Sequence, residues 1–257
     1  MIRVVKIGGN VIDDEEALKR FCHNFASLEG PRVLVHGGGA LASRMQEKLG
    51  MAPVKIQGRR VTDPETLQIV TMVYAGWCNK QIVSLLQADG CQALGLSGCD
   101  ANAICASRRP PLDIDGEKVD FGAVGDVTPA SVNRPFLESL LQQGIVPVLS
   151  PINHDGAGNL LNTNADTVAA SVAAALRGEL WTCFEKDGVL ADVDRPESLL
   201  PLVTSTGYES LKAEGIIAGG MIPKLENAFR SLREGAVKAL ILNADAIATG
   251  RGTQVQL

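Results

Sequence analysis

The hydrophobic positions of the chain follow two periods that alternate along its length. Short runs of Val, Ile and Leu predict strands, and longer stretches with apolar residues three or four positions apart predict helices. The predicted strands cover residues 3–7, 32–36, 91–96, 145–149, 179–184, 237–242 and 253–257. The predicted helices cover residues 14–28, 40–49, 64–88, 131–143, 163–176, 206–214 and 220–234. Strands that alternate with helices indicate an α/β fold with a mostly parallel sheet covered on both faces.

Two regions depart from this alternation. Residues 104–127 contain short paired segments around the turn from Asp113 to Gly116, which predicts a hairpin, and a second small hairpin is predicted within residues 189–203. No low-complexity linker divides the chain. Because Arg177 and Gly178 follow a helix and begin a new set of strands and helices, we expect an N-terminal lobe of residues 1–177 and a C-terminal lobe of residues 178–257.

Composition narrows the functional class. The 257 residues are 46% hydrophobic and 21% charged, which is typical of a folded globular protein. The net charge of −5, the absence of a Lys/Arg run and the 4% aromatic content argue against nucleic-acid binding. No apolar stretch is long enough to span a membrane. The apolar part of the N-terminal segment is too short for a signal peptide. We therefore expect a cytoplasmic protein without a membrane partner.

The cysteines and histidines do not suggest a metal site. Six cysteines occur without a C-x-x-C pair, and the three histidines are scattered along the chain. A zinc cluster needs closely spaced ligands of these types. We therefore expect small buried thiols, and no metal bound by protein side chains.

Two glycine-rich segments follow the first two predicted strands. Lys6 precedes Gly8 and Gly9, and His36 precedes three consecutive glycines, Gly37 to Gly39. Ligands of open α/β sheets bind beyond the carboxyl ends of the strands, and glycines let backbone amides converge on an anion. Tight turns are the simpler interpretation. The second segment also fits a loose dinucleotide pattern and an esterase oxyanion loop, but the acidic residue and the G-x-S-x-G motif that those functions need are missing.

Three later segments supply charged and polar candidates. Arg60 can bind a carboxylate with two parallel hydrogen bonds, or form a solvated pair with Arg59. Asn162 and Asp166 flank the start of a helix, where they can cap it or act on a ligand. Lys224 is predicted in the first turn of a helix, where the helix dipole disfavours a cation. Glycine loops, lysines and an aligning carboxylate together suit phosphoryl transfer, although no P-loop motif occurs.

The order of these motifs resembles the amino-acid kinase family. Lys-Ile-Gly-Gly, His-Gly-Gly-Gly, Gly-x-Arg-Val-Thr, Asn-x-Asn-Ala-Asp and Gly-Gly-Met-x-x-Lys appear in the family's order over nearly the whole chain. Within that family the motifs are similar to the branch that acts on N-acylated glutamate. The resemblance implies an open three-layer αβα sandwich with a central, mainly parallel eight-stranded sheet. It also implies ATP-dependent phosphorylation of the γ-carboxylate of an N-acyl-L-glutamate, with N-acetylglutamate favoured, in arginine biosynthesis.

The resemblance also implies a role for each candidate residue. Lys6 and Lys224 would neutralise charge on the transferring phosphoryl group, and Asp166 would hold both lysines. Arg60 would bind the substrate's α-carboxylate, and Asn162 its acylated amino end. Backbone amides of Gly38 and Gly39 would face the substrate, and the residues around the ATP phosphates would be Gly8, Gly9, Lys186, Gly188 and Gly220.

The N-terminal lobe would bind the acyl-glutamate and the C-terminal lobe ATP with Mg²⁺. A homodimer is implied, with Tyr74 and Trp77 on the predicted helix 64–88 placed either in the dimer surface or in the core. Relatives that arginine inhibits carry an additional helix before the first strand, and this chain begins directly with that strand, so the resemblance implies no inhibition by arginine.

Two segments depart from the family pattern and keep alternatives open. Family members commonly carry Thr/Ser-Asp-Val-x-Gly where residues 183–188 read Cys-Phe-Glu-Lys-Asp-Gly, and residues 97–102 differ from the usual Gly-Lys-Asp-Gly-like stretch. An N-succinylglutamate kinase, a kinase of carrier-bound glutamate or aminoadipate, and a non-catalytic sensor of amino acid or nucleotide therefore remain alternatives. Arg108 and Arg109 can read an additional carboxylate or belong to a solvated hairpin.

Overall fold

An eight-stranded sheet runs through the centre of the computed structural model, which describes all residues from Met1 to Leu257. The strands are β1 (Arg3–Ile7), β2 (Arg32–His36), β3 (Lys55–Ile56), β4 (Arg59–Arg60), β5 (Ala93–Leu96), β6 (Ser107–Arg108), β7 (Leu112–Ile114), β8 (Glu117–Val119), β9 (Gly125–Asp126), β10 (Val146–Leu149), β11 (Ile152–His154), β12 (Leu160–Asn162), β13 (Glu179–Phe184), β14 (Leu202–Thr204), β15 (Lys238–Asn243) and β16 (Gly252–Gln256). The helices are α1 (Gly9–Asp13), α2 (Glu15–Ala26), α3 (Gly39–Lys48), α4 (Pro64–Thr71), α5 (Asn79–Ala88), α6 (Arg134–Gln142), α7 (Ala165–Ala175), α8 (Ser205–Ala213) and α9 (Met221–Arg233).

The central sheet has the strand order β14-β16-β15-β13-β1-β2-β10-β5. All neighbouring pairs are parallel except β15 and β16. The predicted mainly parallel, eight-stranded α/β architecture is therefore confirmed. Pairing between β1 and β13 makes the sheet continuous across residue 177, so the proposed lobes share one sheet.

Helices cover both faces of the sheet, and alternate strand residues point to opposite layers. Val4 and its equivalents pack with α6, α7 and α9, whereas Val5 and its equivalents pack with α2, α4 and α5. Such alternation is what a strand's period of two dictates. The fully apolar β10 is buried at each of its four positions, as expected for a strand covered on both faces.

The predicted helix over residues 64–88 needs a correction. α4 and α5 are joined by a π-helical segment, Met72–Cys78, and not by α-helix. The wider turn changes which side chains face inward, so Trp77 is 63% exposed and Met72 is 60% exposed, while Tyr74 is buried. Equal spacing of apolar residues in the sequence could not reveal this, because the helical period itself changes within the element.

Several boundaries and small hairpins also differ from expectation. The hairpin around residues 113–116 is present as β7 and β8. The hairpin predicted within residues 189–203 is wrong in its second half: a single bridge joins Leu190 to Leu199, and β14 instead extends the central sheet beside β16. The sequence did not reveal the hairpins β3–β4 and β11–β12. Strands of two or three residues carry almost no periodicity, so pattern alone cannot detect them.

All six cysteines are free thiols, and four of them are buried. No helix combines the length and the apolar character needed to cross a membrane.

Candidate active site

The two glycine-rich segments lie side by side at one edge of the sheet. β1 and β2 are parallel and Ile7 lies opposite His36, so Gly8 and Gly37 leave the sheet next to each other. α1 and α3 begin at the last glycine of each segment, with Gly8 and Gly38 at their N-caps and no side chain capping either helix. Backbone amides at such positions carry partial positive charge toward the space in front of them.

Lys6 and Asp166 form the central ion pair of this edge. The Lys6 side chain is 8% exposed and its Nζ lies 2.8 Å from Asp166 Oδ1. α7 places Asp166 in its first turn, where Asn164 accepts a hydrogen bond from the Thr167 amide and caps the helix. A Cβ built on Gly8 would lie 3.9 Å from Lys6 Nζ, so the ammonium group sits against the first glycine segment. The pair places a buried cation directly beside unpaired glycine amides.

Lys224 approaches the same pair from α9. Its Nζ donates to Gly220 O at 3.2 Å and lies 5.6 Å from the centre of the Phe184 ring. Burial is the main cause that lowers the pKa of Lys224, and the charge of Lys6 lowers it further, while Asp166 and Glu185 oppose this shift. Of the two lysines, Lys6 forms the ion pair with Asp166. Lys224 instead folds back and donates to Gly220 O at the start of its own helix.

Arg60 lies at the second glycine segment. It is 9% exposed and donates to the side chain of Gln46, to Gly39 O at 2.8 Å and to Ser43 Oγ at 2.7 Å. Gly39, Ser43 and Gln46 share one face of α3 because they are spaced by four and three residues. Arg60 is therefore a buried, oriented side chain, and the alternative of a solvated arginine pair is wrong for it.

Asn162 is the last residue of β12, and this strand brings it to the same region. Its Nδ2 donates to Thr62 Oγ1 at 3.0 Å, and Thr62 follows Arg60 by two residues. The Asn162 amide N–H also donates to Ala123 O. The fold thus gathers Gly39, Arg60 and Asn162 from segments that are far apart in sequence.

The residues that are expected to contact the nucleotide differ from one another in exposure and surroundings. Lys186 is exposed in the turn after β13, and Asn243 ties this turn to β15 by donating to Glu185 O and Asp187 Oδ1. Gly188 is buried with a φ of +151°, and a Cβ there would lie 2.6 Å from Thr253 Oγ1. Close packing therefore requires glycine at 188 whether or not a nucleotide binds nearby. Gly220 is the N-cap of α9 and has open space around it.

Two groups near the glycines were not identified from sequence. A Cβ on Gly38, whose φ is +149°, would lie 3.0 Å from both Cys78 Sγ and Tyr74 Cδ1, so the loop passes directly over the π-helical segment. Burial raises the pKa of Tyr74, and the nearby Arg60 opposes that rise. The sequence left Tyr74 either in the core or in a dimer surface, and only the structure shows that it is buried and covers Gly38.

The structure gives Arg109 an arrangement that neither sequence interpretation, a reader of an additional carboxylate or part of a solvated hairpin, anticipated. Its Nε and Nη2 donate to the Asp126 carboxylate, with Nε to Oδ1 at 3.0 Å, and its guanidinium lies 5.7 Å from the centre of the Phe121 ring. The side chain is only 13% exposed, so a solvated hairpin is wrong for this residue. Arg108 is 63% exposed and lies 3.6 Å from Asp120. Both arginines therefore have an acidic partner within the chain.

Known proteins are similar to this chain over nearly its whole length. A family model described as the amino acid kinase family matches residues 1–243. A protein of Phocaeicola vulgatus named acetylglutamate kinase is 46% identical, with 99% of this chain and 98% of that protein covered. A Methanopyrus kandleri protein of the same name is 43% identical over 99% of this chain and 100% of its own length. The structure of smu.665 from Streptococcus mutans UA159 is 28% identical with a TM-score of 0.77, covering 99% of this chain and 98% of that one. With a matching family model and relatives of this identity over its full length, the chain belongs to the amino acid kinase family.

Proposed function

We propose that the chain phosphorylates the γ-carboxylate of N-acetyl-L-glutamate with ATP, in arginine biosynthesis. The observation that carries the proposal is the convergence of Lys6, Asp166 and Lys224 on the edge of the sheet where both glycine segments begin. Phosphoryl transfer depends on positioning and charge neutralisation more than on covalent chemistry by the protein. The relatives named acetylglutamate kinase support the substrate.

The reaction needs no general base from the protein. A γ-carboxylate is ionised at neutral pH, so its oxygen can attack the γ-phosphorus of ATP while the bond between that phosphorus and the β,γ-bridging oxygen breaks. The products are an acyl phosphate and ADP. The nearest histidine, His36, is fully buried and its pKa is lowered to about 4, chiefly by desolvation, so it stays neutral and does not act on the substrate as an acid or base.

Lys6 and Lys224 place positive charge where the phosphoryl group carries negative charge. Lys6 is aligned by Asp166, and Lys224 is held at the start of α9. Amides of Gly8, Gly9 and Gly220 supply further donors toward phosphate oxygens. Two cations face this edge but only Lys6 is paired with a carboxylate, so the positive charge of Lys224 is left for an anionic phosphate group to balance.

The acyl-glutamate is proposed to bind at the second glycine segment. Three of the five guanidinium N–H groups of Arg60 are used within the chain, including both on Nη2. One N–H on Nη1 and one on Nε remain, on different edges of the guanidinium, and one of them is proposed to donate to the α-carboxylate. Gly38 and Gly39 amides and the side chain of Asn162 would complete the contacts. Since Arg109 is paired with Asp126, it offers no free cation for a second substrate carboxylate, and the acetyl group remains the favoured acyl group.

ATP is proposed to bind against the C-terminal lobe, residues 178–257, with Lys186 and Gly188 at its margin and the acyl-glutamate against residues 1–177. No group of three or more His, Cys, Asp or Glu side chains is arranged to hold a metal ion. Asp166, the carboxylate at the centre of the site, is occupied by Lys6. Mg²⁺ would therefore arrive with the nucleotide and be held mainly by its phosphates, as is common for this ion.

The function is tested by ADP release from MgATP in a coupled assay. N-acetyl-L-glutamate, N-succinyl-L-glutamate and L-glutamate are compared, with hydroxylamine trapping of the acyl phosphate. We expect rapid, hydroxylamine-trapped turnover with the acetyl substrate. Preference for the succinyl substrate would replace the acetyl assignment, and nucleotide binding without ADP release from any of the three would contradict the proposed function and favour a sensor.

Losing a hydrogen bond to a charged group costs about 1.5–3 kcal/mol. Arg60→Lys is therefore expected to raise KM for N-acetyl-L-glutamate by about 10- to 100-fold. Lysine keeps the positive charge but lacks the planar set of donors that orients Arg60 on Gln46, Gly39 and Ser43 while leaving another N–H for the substrate. KM for ATP should change little. Arg59→Lys is the matched control, because Arg59 is exposed and adjacent in β4. Equal KM values in the two variants would contradict the role of Arg60.

A homodimer is proposed through the exposed face of the π-helical segment. Met72 and Trp77 are large apolar side chains exposed to 60% and 63%, and clustered apolar exposure is typical of association surfaces. Light scattering should give twice the 27.1 kDa mass of one chain. Trp77→Glu should shift the protein toward the monomer, whereas Val193→Glu, at a side chain 62% exposed elsewhere, should not. A monomeric wild-type protein would refute the proposal.

A further inference from the structure

His36 and Asn79 form a buried polar network directly beneath the second glycine segment. His36 is fully buried at the end of β2, and Asn79 is 1% exposed at the start of α5, immediately after the π-helical segment. His36 Nδ1 lies 2.8 Å from Gly37 O, and His36 Nε2 lies 3.1 Å from Asn79 Nδ2. None of the roles described above uses this network.

The hydrogen-bond partners determine which ring nitrogen carries the proton. Gly37 O can only accept, so Nδ1 must donate. Asn79 Nδ2 also donates to Val148 O at 2.9 Å, while its Oδ1 accepts from Lys80 Nζ at 3.1 Å. The amide is thereby oriented with its NH₂ group toward the ring, and Nε2 must accept. A single arrangement of protons satisfies every partner.

A consequence follows for the peptide bond between Gly37 and Gly38. The chain contains no cis peptide bonds, so the Gly37 C=O and the Gly38 N–H point in opposite directions. When His36 holds the carbonyl against the buried ring, the Gly38 N–H must point away from it. That N–H has no hydrogen-bond partner within the chain, while Gly38 O accepts from Ala42 N.

We propose that Asn79, acting through His36, is a positioning residue that fixes the orientation of the Gly37–Gly38 peptide and so presents the Gly38 N–H to the bound anion. A linkage between two glycines otherwise rotates easily, because neither residue has a Cβ to restrict it. The proposal deepens the proposed function, on which the identity of that anion rests.

The surroundings keep the network in this state. Burial, as the largest cause, and the charge of Lys80 lower the pKa of His36 to about 4, and the hydrogen bond to Gly37 opposes that shift. The ring therefore remains neutral across the physiological range. On its far side, Asn79 Oδ1 occupies the space that a Cβ on Gly95 would need, at 2.0 Å. Gly95 in β5 thus allows the amide to reach its position.

The first test is spectroscopic and needs no activity. Protein labelled with ¹⁵N-histidine has three ring systems, which His23→Gln and His154→Gln assign by elimination. We expect His36 to carry its proton on Nδ1 and to remain neutral from pH 5 to 8. Asn79→Asp replaces the donor with an acceptor and should place a proton on Nε2, whereas Ser231→Ala, which removes a buried hydroxyl in α9, should leave the His36 signals unchanged. A proton on Nε2 in the wild-type protein overturns the proposal.

The second test separates the two ring nitrogens kinetically. The amide nitrogen of Asn is bonded to Cγ, as Nδ1 is, so His36→Asn can still donate to Gly37 O. His36→Gln instead reaches toward Asn79 and leaves that carbonyl unheld. We expect kcat/KM for N-acetyl-L-glutamate to fall by about 10- to 100-fold in His36→Gln, and by clearly less in His36→Asn, by analogy with the loss on removing the outer hydrogen-bond partners of metal ligands.

The two tests distinguish the inference from the proposed function. A wild-type protein that shows the Nδ1–H tautomer but no turnover with acylated glutamate contradicts the function and supports the positioning of the loop. A glutamine variant that matches or exceeds the asparagine variant in kcat/KM overturns the positioning role even when the wild-type kinase is fully active.

Discussion

Lys6→Met is expected to lower kcat by about 10²–10³, the loss typical of removing one preorganised group that stabilises transition-state charge. Methionine keeps much of the side-chain volume, so β1 should still pack. Lys6 is the cation that Asp166 aligns, with 2.8 Å between Nζ and Oδ1, and it lies against Gly8. Its charge is fixed in place before substrates arrive, which is why its loss should appear in kcat more than in KM.

A fall in stability must be separated from this catalytic effect. Removing one partner of a buried ion pair leaves the other charge uncompensated, at a cost of about 3–5 kcal/mol when both are fully buried. Asp166 is 21% exposed, so the loss should lie at or below the lower end. The double variant Lys6→Met with Asp166→Asn should recover much of the thermal stability without recovering activity. A single variant that folds and turns over at a near-normal rate would contradict the assignment of Lys6.

Lys224→Met is expected to reduce kcat by a similar factor of about 10²–10³. Unlike Lys6, Lys224 has no carboxylate within ion-pair distance, and its ammonium rests on Gly220 O beside the Phe184 ring. This cation is therefore free to move onto a phosphate oxygen. Because no partner charge is left behind, the thermal stability of Lys224→Met should change much less than that of Lys6→Met. A normal kcat in this variant would show that the phosphoryl group binds elsewhere.

The lowered pKa of Lys224 gives this residue a pH signature. Burial and the charge of Lys6 move the pKa below the usual 10.5, so the ammonium loses its proton at a lower pH than an exposed lysine. As pH rises through that pKa, the site loses a cation and kcat should fall, as in Lys224→Met. Lys224→Arg stays charged throughout, so its kcat should be less sensitive to alkaline pH. Parallel pH profiles for the two proteins would contradict this explanation.

Local patterning was enough to predict most strands of the central sheet and the edge at which the two glycine segments lie. Strands such as β1, β2 and β13 are short, apolar and separated by amphipathic stretches, so the local sequence is sufficient to predict them. In a parallel sheet their carboxyl ends must share an edge. The sequence alone therefore places Lys6 and the glycines at positions 8 and 38 together, and the resemblance to a known family indicates the reaction.

The contacts that orient the site could not be predicted in this way. Arg60 is held by Gln46 and Ser43 from another element, and Asn79 reaches His36 across 43 residues of sequence. Such partners are set by how α3 and α5 pack on the sheet, and nothing in the local sequence around Arg60 or His36 specifies them. The π-helical segment is a further case, because it changes the helical period and turns Trp77 outward.

The sequence by itself thus determined most of the strands and helices, the edge of the sheet at which the candidate site lies and the residue types available there. Tertiary structure alone decided that Asp166 pairs with Lys6 while Lys224 remains free, that close packing against Thr253 requires Gly188, and that His36 faces a carbonyl and an amide. The physical reason is range: periodicity and turn chemistry act within a few residues, whereas burial, ion pairing and proton placement depend on groups that only folding brings together.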